Sequence, residues 1–282
     1  MAITNFIPEV WSARLLSSLK KSLVFAGPGV VNRDYEGEIR DSGDTVRITS
    51  ISRPTIGSYV KNSTTITPET LTDAQRSLLI DQSKYFAFEV DDIDMRQAVN
   101  GGALMNEAAA EAAYGLADTA DQYVASLYTG VDAGNAISTT SVTDAAKAVA
   151  GLINLMTQLN EANVPTQGRY VVVPPWYYAL LLGSDLFVRV DASGSDQALR
   201  NGIVGRAFGF DVLTSNNCVN VTGDDWIVLA GVPGAISFAE QIVKVEAYRP
   251  ESAFSDALKG LHVYGAKVVR PDALATLTAS IT

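Results

Sequence analysis

Apolar positions along this chain change their period several times, and each change marks an element. Trp11, Leu15 and Leu19 recur every four residues, with Leu16 and Leu23 alongside, after Pro8 at a place suited to a first helical turn. This predicts a short amphipathic helix that Gly27-Pro28-Gly29 stops. Residues 1–40 are too few to bury that face, so they are expected to form an arm lying on other structure, in their own chain or a neighbour. After the turn signal Asp41-Ser42-Gly43-Asp44, the run Thr45-Val46-Arg47-Ile48-Thr49 alternates like a half-buried strand. Residues 50–78 are rich in Ser, Thr and Pro, with only scattered apolar positions (Ile51, Ile56, Tyr59, Val60, Ile66, Leu71). They cannot build a core, yet they lack the charge run of a disordered segment. A long two-stranded loop projecting from the body is the expected form. The chain re-enters a buried region at Leu79-Ile80 and again over 85–90.

Helical periodicity dominates 103–128. Gly101-Gly102 is expected to break the preceding pattern, after which Leu104, Ala108, Ala112, Leu116, Ala120, Val124 and Tyr128 step by four along one face. A helix of that length is about 39 Å long, and its many alanines let other elements pack close. Residues 130–141 read as a loop. Thr143-Asp144 opens a second helix with Val149, Leu152, Ile153, Met156 and Leu159 on one face, ended by Asn163-Val164-Pro165. Arg169-Tyr170-Val171-Val172-Val173 is a buried strand that Pro174-Pro175 turns into a helix over 176–182. Strands around Val212 and over 227–230 complete an α/β unit at 142–240. Strands at 243–248 and 260–270 close an α+β chain.

Composition narrows the chemistry. The 282 residues include one histidine, His262, and one cysteine, Cys218. Histidine is the usual proton shuttle and metal ligand, and cysteine supplies thiolates, disulfides and zinc sites. Function through shape and contacts is therefore expected, with no catalytic residue, cofactor or metal. Charged residues make up 18%, against about 25% in ordinary soluble domains, which leaves weakly polar surface of the kind that becomes interface. The net charge of -10 opposes a tight grip on nucleic-acid phosphates, which needs clustered Lys and Arg. That charge is uneven. Residues 1–33 carry +3 (Arg14, Lys20, Lys21 and Arg33 against Glu9), whereas 89–121 carry -7, with Arg96 the one base. No apolar run reaches the ~20 residues that span a bilayer, and no basic start precedes an apolar block. A cytoplasmic site of synthesis and assembly, with no membrane partner, is expected.

Four constellations carry a chemical reading beside a plainer one. Asp91, Asp92 and Asp94 offer oxygen ligands for a divalent cation, but such a cluster also suits a helix N-terminus, and the latter is favoured. Cys218 and His262 in principle make a thiol–imidazole pair; structural roles are favoured, because Cys218 sits in a turn-like asparagine-rich setting without nearby cations. Gly202, Gly205 and Gly209 do not match a dinucleotide fingerprint and read as turns. Trp176, Tyr177 and Tyr178 could make a platform for a sugar or base, but following a buried strand they read as core or interface.

The segment 80–98, Ile-Asp-Gln-Ser-Lys-Tyr-Phe-Ala-Phe-Glu-Val-Asp-Asp-Ile-Asp-Met-Arg-Gln-Ala, resembles one seen in major capsid proteins of tailed bacteriophages, which share the Hong Kong 97-type capsid fold. Further pieces are similar in the same order: Phe6-Ile7-Pro8-Glu9-Val10-Trp11, Asn32-Arg33-Asp34-Tyr35-Glu36-Gly37, Gly43-Asp44-Thr45-Val46, Ala117-Asp118 with Asp121-Gln122-Tyr123, the 169–175 strand and turn, and Gly260-Leu261-His262-Val263-Tyr264-Gly265-Ala266-Lys267. The resemblance implies an N-terminal arm at 1–40 and an extended two-stranded E-loop at 41–85. It implies a peripheral domain at 86–141 and 241–282 around a spine helix at about 103–128, and an axial domain at 142–240. It further implies self-assembly through hexamers and pentamers into an icosahedral virion shell around double-stranded DNA held non-specifically, with scaffolding and portal proteins as partners and a place for a decoration protein. Subunit-contact candidates are Lys20, Lys21, Arg47, Arg53, Tyr59, Lys61, Glu107 and Glu111. Some family members crosslink themselves through a Lys and an Asn; Lys61 and Lys84 are expected on the loop, but no matching motif carries that chemistry over. Alternatives are an encapsulin-type protein compartment, a carboxylate-dependent soluble α/β enzyme, and a carbohydrate-binding module on Trp176–Tyr178.

Overall fold

Two separate sheets and a long helix organise the chain in a computed structural model that describes residues 24–34, 45–51, 56–58, 61–62, 65, 73–91, 101–184, 205–251 and 254–282. β1 (Thr45–Ile51) and β2 (Asp73–Leu79) pair antiparallel as a ribbon of their own, in register from Thr45 opposite Leu79 to Ile51 opposite Asp73. This is the expected two-stranded loop. β3 (Gln82–Asp91) begins three residues after the ribbon ends, so Lys84 lies in the body and not on the loop.

β3 forms the edge of a three-stranded antiparallel sheet with β11 (Ser255–Val268) at its centre and β10 (Ile236–Tyr248) beyond. Both long strands begin earlier than their apolar runs predict, at 236 against 243 and at 255 against 260. α1 (Gly101–Ser126) lies on one face of this sheet. Gly101 and Gly102 are its first residues and do not break it. Two glycines cost about 1 kcal/mol each in a helix interior, less in a first turn, and the alanine-rich stretch behind them decides. Ala109 and Ala113 pack with Phe86, Phe88, Val245, Ala247 and Leu258, and Leu116 and Ala117 also meet Phe86. In the N-terminal half the buried stripe therefore runs through Ala109 and Ala113, one position off the predicted Ala108 and Ala112. Gly260 makes room for this packing, because a Cβ there would collide with the Phe86 ring opposite it.

The other sheet has the path β4 (Ala136–Ser141), β12 (Leu274–Ser280), β9 (Asp225–Gly231), β5 (Arg169–Val173), β7 (Phe210–Thr214), β6 (Arg206–Ala207), with β8 (Asn220–Thr222) also paired to β9. α2 (Ala145–Glu161) buries Val149, Leu152, Leu155 and Leu159. Its start is fixed by Asp144, whose side chain accepts a hydrogen bond from the Lys147 amide, the cap that the sequence predicts. α3 (Pro175–Leu182) packs on α2, where the buried Tyr177 hydroxyl donates to the Ala148 carbonyl at 2.7 Å. Residues 130–141, expected as loop, contain β4, and residues 241–282 do not stay in one sheet, because β12 crosses between β4 and β9. β4 escapes a pattern search because it reads Ala-Ile-Ser-Thr-Thr-Ser and sits at an exposed edge. Its pairing comes from a strand more than 130 residues away.

Residues 24–34 are knotted onto this body by two charged side chains. The Asp121 Oδ1 of α1 accepts hydrogen bonds from the amides of Val24, Phe25 and Ala26 at 2.9, 2.6 and 3.2 Å. Asn217, in the loop after β7, donates its side-chain amide to Asp121 Oδ2 and to Asp118 Oδ1. From the other side, Arg33 donates Nε and Nη2 to the Ala26 carbonyl and Nη1 to Glu240 at 2.7 Å, with its guanidinium 4.9 Å from the Phe238 ring centre. Main-chain bonds from Asn32 to Ile236 and from Phe238 to Asn32 lock the same stretch to β10. Glu240 also meets buried His262 at 3.2 Å. Burial alone would raise the Glu240 carboxyl, but the His262 hydrogen bond and the Arg33 charge outweigh it and hold it below its ordinary 4.5.

Asp121→Ala strips three inward-facing amides of their acceptor. An unpaired buried donor costs about 1–3 kcal/mol, so a loss of about 3 kcal/mol is expected in denaturant unfolding of the dispersed chain, and unchanged midpoints would contradict the assignment. The Glu240 contribution has a definite sign. Its folded value is depressed, so its stabilisation is present above the ordinary 4.5 and is lost as pH falls through the folded value. The stability gap between wild type and Glu240→Gln should be widest near neutral pH and close on acidification below 4.5, read from urea midpoints across a pH series.

Candidate assembly surface

The single cysteine and the single histidine both serve the interior. Burial pushes the Cys218 thiol up to about 12, and the Asp121 charge adds to the rise. A thiol that stays protonated in a buried loop is no nucleophile. His262 lies in β11 of the other sheet, wholly buried against Glu240. Among the described residues, no group of three or more His, Cys, Asp or Glu side chains converges to hold a metal ion. Asp91 ends β3 opposite Ser255; Asp92 and Asp94 fall outside the described residues. Tyr177 is wholly buried, and Trp176 meets it edge-on at 5.6 Å, so 176–178 present no flat platform. Gly205 and Gly209 adopt positive φ around the β6–β7 hairpin, which is the turn role expected of them. No helix among the described residues is long and apolar enough to cross a membrane.

What the chain does offer is apolar surface. In β11, Leu258 and Gly260 look toward α1, so Lys259 and Leu261 look away, as do Tyr85 and Ala87 of β3 and Glu246 of β10. These residues line an open groove of about 440 Å³. Tyr85 is 79% exposed and Leu261 37%. Lys259 and Glu246 pair at 3.0 Å on its rim. Farther along the same face, Ala239 and Val263 are covered by Leu78 and Ile80 at the root of the ribbon. The groove is thus the uncovered continuation of a face that the chain has begun to cover. At the end of the β10–β11 hairpin Phe254 is 81% exposed, and between the ribbon strands Ile56 is 93% exposed.

Of the expected contact residues, the four that the structure describes do not line this groove. Arg47 pairs with Ser77 in the ribbon, Lys61 is exposed in a turn with Asn62, Glu107 lies in the first half of α1, and Glu111 is exposed on that helix. Lys20, Lys21, Arg53 and Tyr59 fall outside the described residues. Asp121, counted with the acidic stretch 89–121, is not part of an acid surface: it is buried and serves residues 24–26 of its own chain. Sequence reading missed the groove. The run over 85–90 reads as re-entry into a buried region, whereas an antiparallel strand apolar on both faces also marks a second face awaiting a cover.

Comparison with known proteins places this architecture. The model of the family described as phage capsid protein matches residues 75–277. No curated protein matches the chain. Among solved structures, a chain of Mycobacterium phage Che8 is 34% identical, with 98% of each chain covered and a TM-score of 0.75. The capsid of cyanophage P-SCSP1u shares the fold at 18% identity and TM-score 0.71, over 93% of this chain and 89% of that one. An encapsulin complex from Synechococcus elongatus shares it more distantly, at 12% identity and TM-score 0.57, over 86% and 85%. A matched stretch that takes in the ribbon's second strand, the long helix and both sheets leaves little of the described fold outside the family, and the chain belongs to the phage capsid proteins, as a shell-forming major capsid protein of a tailed bacteriophage with the Hong Kong 97-type fold.

Proposed function

We propose that copies of this chain gather into hexamers and pentamers that close an icosahedral shell in the host cytoplasm, and that this is a structural task without catalytic chemistry. The observation that carries this reading is the half-covered sheet face: the apolar groove at Tyr85 and Leu261 gains a cover when a neighbouring copy's E-loop lies in it. The ribbon is the natural occupant, since it leaves its own body at one end and exposes Ile56. In domain terms, 1–40 is the arm and 41–81 the E-loop, which stops short of residue 85 because β3 starts at Gln82. The peripheral domain is built on α1 and the three-stranded sheet, and the axial domain on the larger sheet, to which β4 and β12 are added. Contacts in a shell repeat with symmetry, so each can be weak while the whole is firm. The net charge of -10 fits a container that encloses DNA without gripping it. Scaffolding, portal and decoration proteins are the expected helpers, and the virion is the expected destination.

The encapsulin likeness supports a second reading, a protein-filled compartment, but at 12% identity it speaks for the fold alone. Electron microscopy of the concentrated protein tests the shell itself: closed particles are expected, and a monomer at every concentration would defeat the proposal. Nucleic acid inside particles recovered from infected cells favours the phage reading, and enclosed protein favours the other.

Tyr85→Glu with Leu261→Lys places two opposite charges in the groove, on directly paired positions of β3 and β11 where they do not repel. Assembly is expected to fail while the unfolding midpoint stays within about 0.5 kcal/mol of wild type, as for exposed positions generally; normal particles from this variant would show that the groove is not a contact. Lys20→Glu with Lys21→Glu reverses the arm's charge. If arm and neighbouring helix attract through Glu107 and Glu111, light-scattering assembly rates should fall most at low salt, where screening is weakest. Equal rates across a salt series would remove charge from the account.

A further inference from the structure

The E-loop leaves the body at one root, and that root is built on a single missing side chain. β2 ends at Leu79, and the chain turns through Ile80 and Asp81 into β3. The turn lies directly across Gly265 of β11. A Cβ on Gly265 would overlap the Leu79 carbonyl oxygen and stand 3.0 Å from both Ile80 Cα and Ile80 Cδ1. Gly265 is not among the glycines with positive φ, so its backbone does not call for glycine; the space does. Two of the three obstructing atoms are main chain and cannot swing aside as a side chain could. Around this point Leu78 and Ile80 are buried against Ala239 and Val263, and the Lys267 ammonium donates to the Ser77 carbonyl at 2.9 Å. Gly265 seats the root, and Lys267 ties the returning strand β2 two residues before it ends.

We propose that Gly265, with Lys267, sets the angle at which the E-loop leaves the subunit, and that this angle selects the curvature of the shell. The inference rests on the reading that the loop lies on a neighbouring copy. Seven paired residues make a ribbon of about 23 Å, so lifting its root by a fraction of an ångström tilts the far end by an ångström or more. Packed interfaces register changes as small as one methylene. Because every copy repeats the same error, a small tilt accumulates around the shell instead of averaging out.

The test compares particles from full-length wild type, Gly265→Ala, Lys267→Met and Gly260→Ala by electron microscopy, with thermal unfolding of each dispersed subunit. Gly260→Ala is the control: it sits on the same strand, but its Cβ points to the α1 face, away from the groove, and meets the Phe86 ring and not the loop root. Gly265→Ala is expected to unfold cooperatively and to give particles of shifted or mixed diameter, or open sheets. Lys267→Met, which adds no bulk, should broaden the diameter distribution with little change in melting temperature. Gly260→Ala should melt earlier yet keep the wild-type diameter in whatever particles form. Wild-type diameters from both Gly265→Ala and Lys267→Met would overturn the proposal, as would a Gly260→Ala shift equal to that of Gly265→Ala. If Gly265→Ala does not fold, Lys267→Met decides alone. Absence of particles from the wild-type chain would instead overturn the shell reading on which the proposal stands.

Discussion

The chain owns more apolar sheet face than its own elements can cover. β3, β11 and β10 present two apolar faces. α1 closes one of them through alanines that let the helix approach closely. The second is closed only where the ribbon root presses Leu78 and Ile80 onto Ala239 and Val263, and beyond that point it stays open at Tyr85 and Leu261. Burying apolar area stabilises by roughly 25 cal/mol per Å², so an open groove is free energy still to be gained, and the gain is collected through contact with another molecule. A monomeric globular protein ordinarily hides such a face. A shell subunit needs it exposed until a neighbour arrives.

The polar groups in the interior serve the opposite purpose, fixing what must not move. Asp121 ties residues 24–26 to α1 and, through Asn217, ties α1 to the loop that follows β7. Arg33 and Glu240 bind the same short stretch to β10. Breaking one partner of a buried pair costs far more than the pair contributes over an apolar substitute. These contacts therefore define a fixed geometry more than they add stability: the three-stranded sheet, the helix and the larger sheet are referenced to one another through a single knot of ten or so residues. A surface that meets many copies of itself can be relied on only if the parts behind it hold still.

Much of this was legible in the residues. The long helix follows from its alanine periodicity, and the two-stranded loop from a stretch with too few apolar positions to form a core. α2 announces itself by Asp144, and β5 by an unbroken apolar run. The failures have a common cause, which is pairing between distant segments. β4 carries an unremarkable Ala-Ile-Ser-Thr-Thr-Ser, and only β12 makes it a strand. The helix register slipped by one because Ala108, Ala109 and Ala110 are the same side chain, and only Phe86 and Leu258 choose among them. In the sequence Asp121 is one more acid of the stretch 89–121, because nothing local reveals three amides waiting some 95 residues upstream. Tyr85 and Leu261 were each visible as apolar strand residues, but that their shared face lacks a cover is a property of the assembled sheet.

The position of β12 has a consequence for how the molecule is made. β4 is synthesised well over a hundred residues before β12, and β9 more than forty before it, yet β12 is the strand that joins them. Until it emerges from the ribosome, the larger sheet has two open edges, and an unpaired strand edge is a template for the wrong partner. Distant pairings also form slowly. On a message translated by many ribosomes at once, nascent copies carry these sticky edges side by side. The polar, threonine- and serine-rich face of β4 then has a use that the finished fold conceals: it makes the waiting edge a poor place for another growing chain to dock.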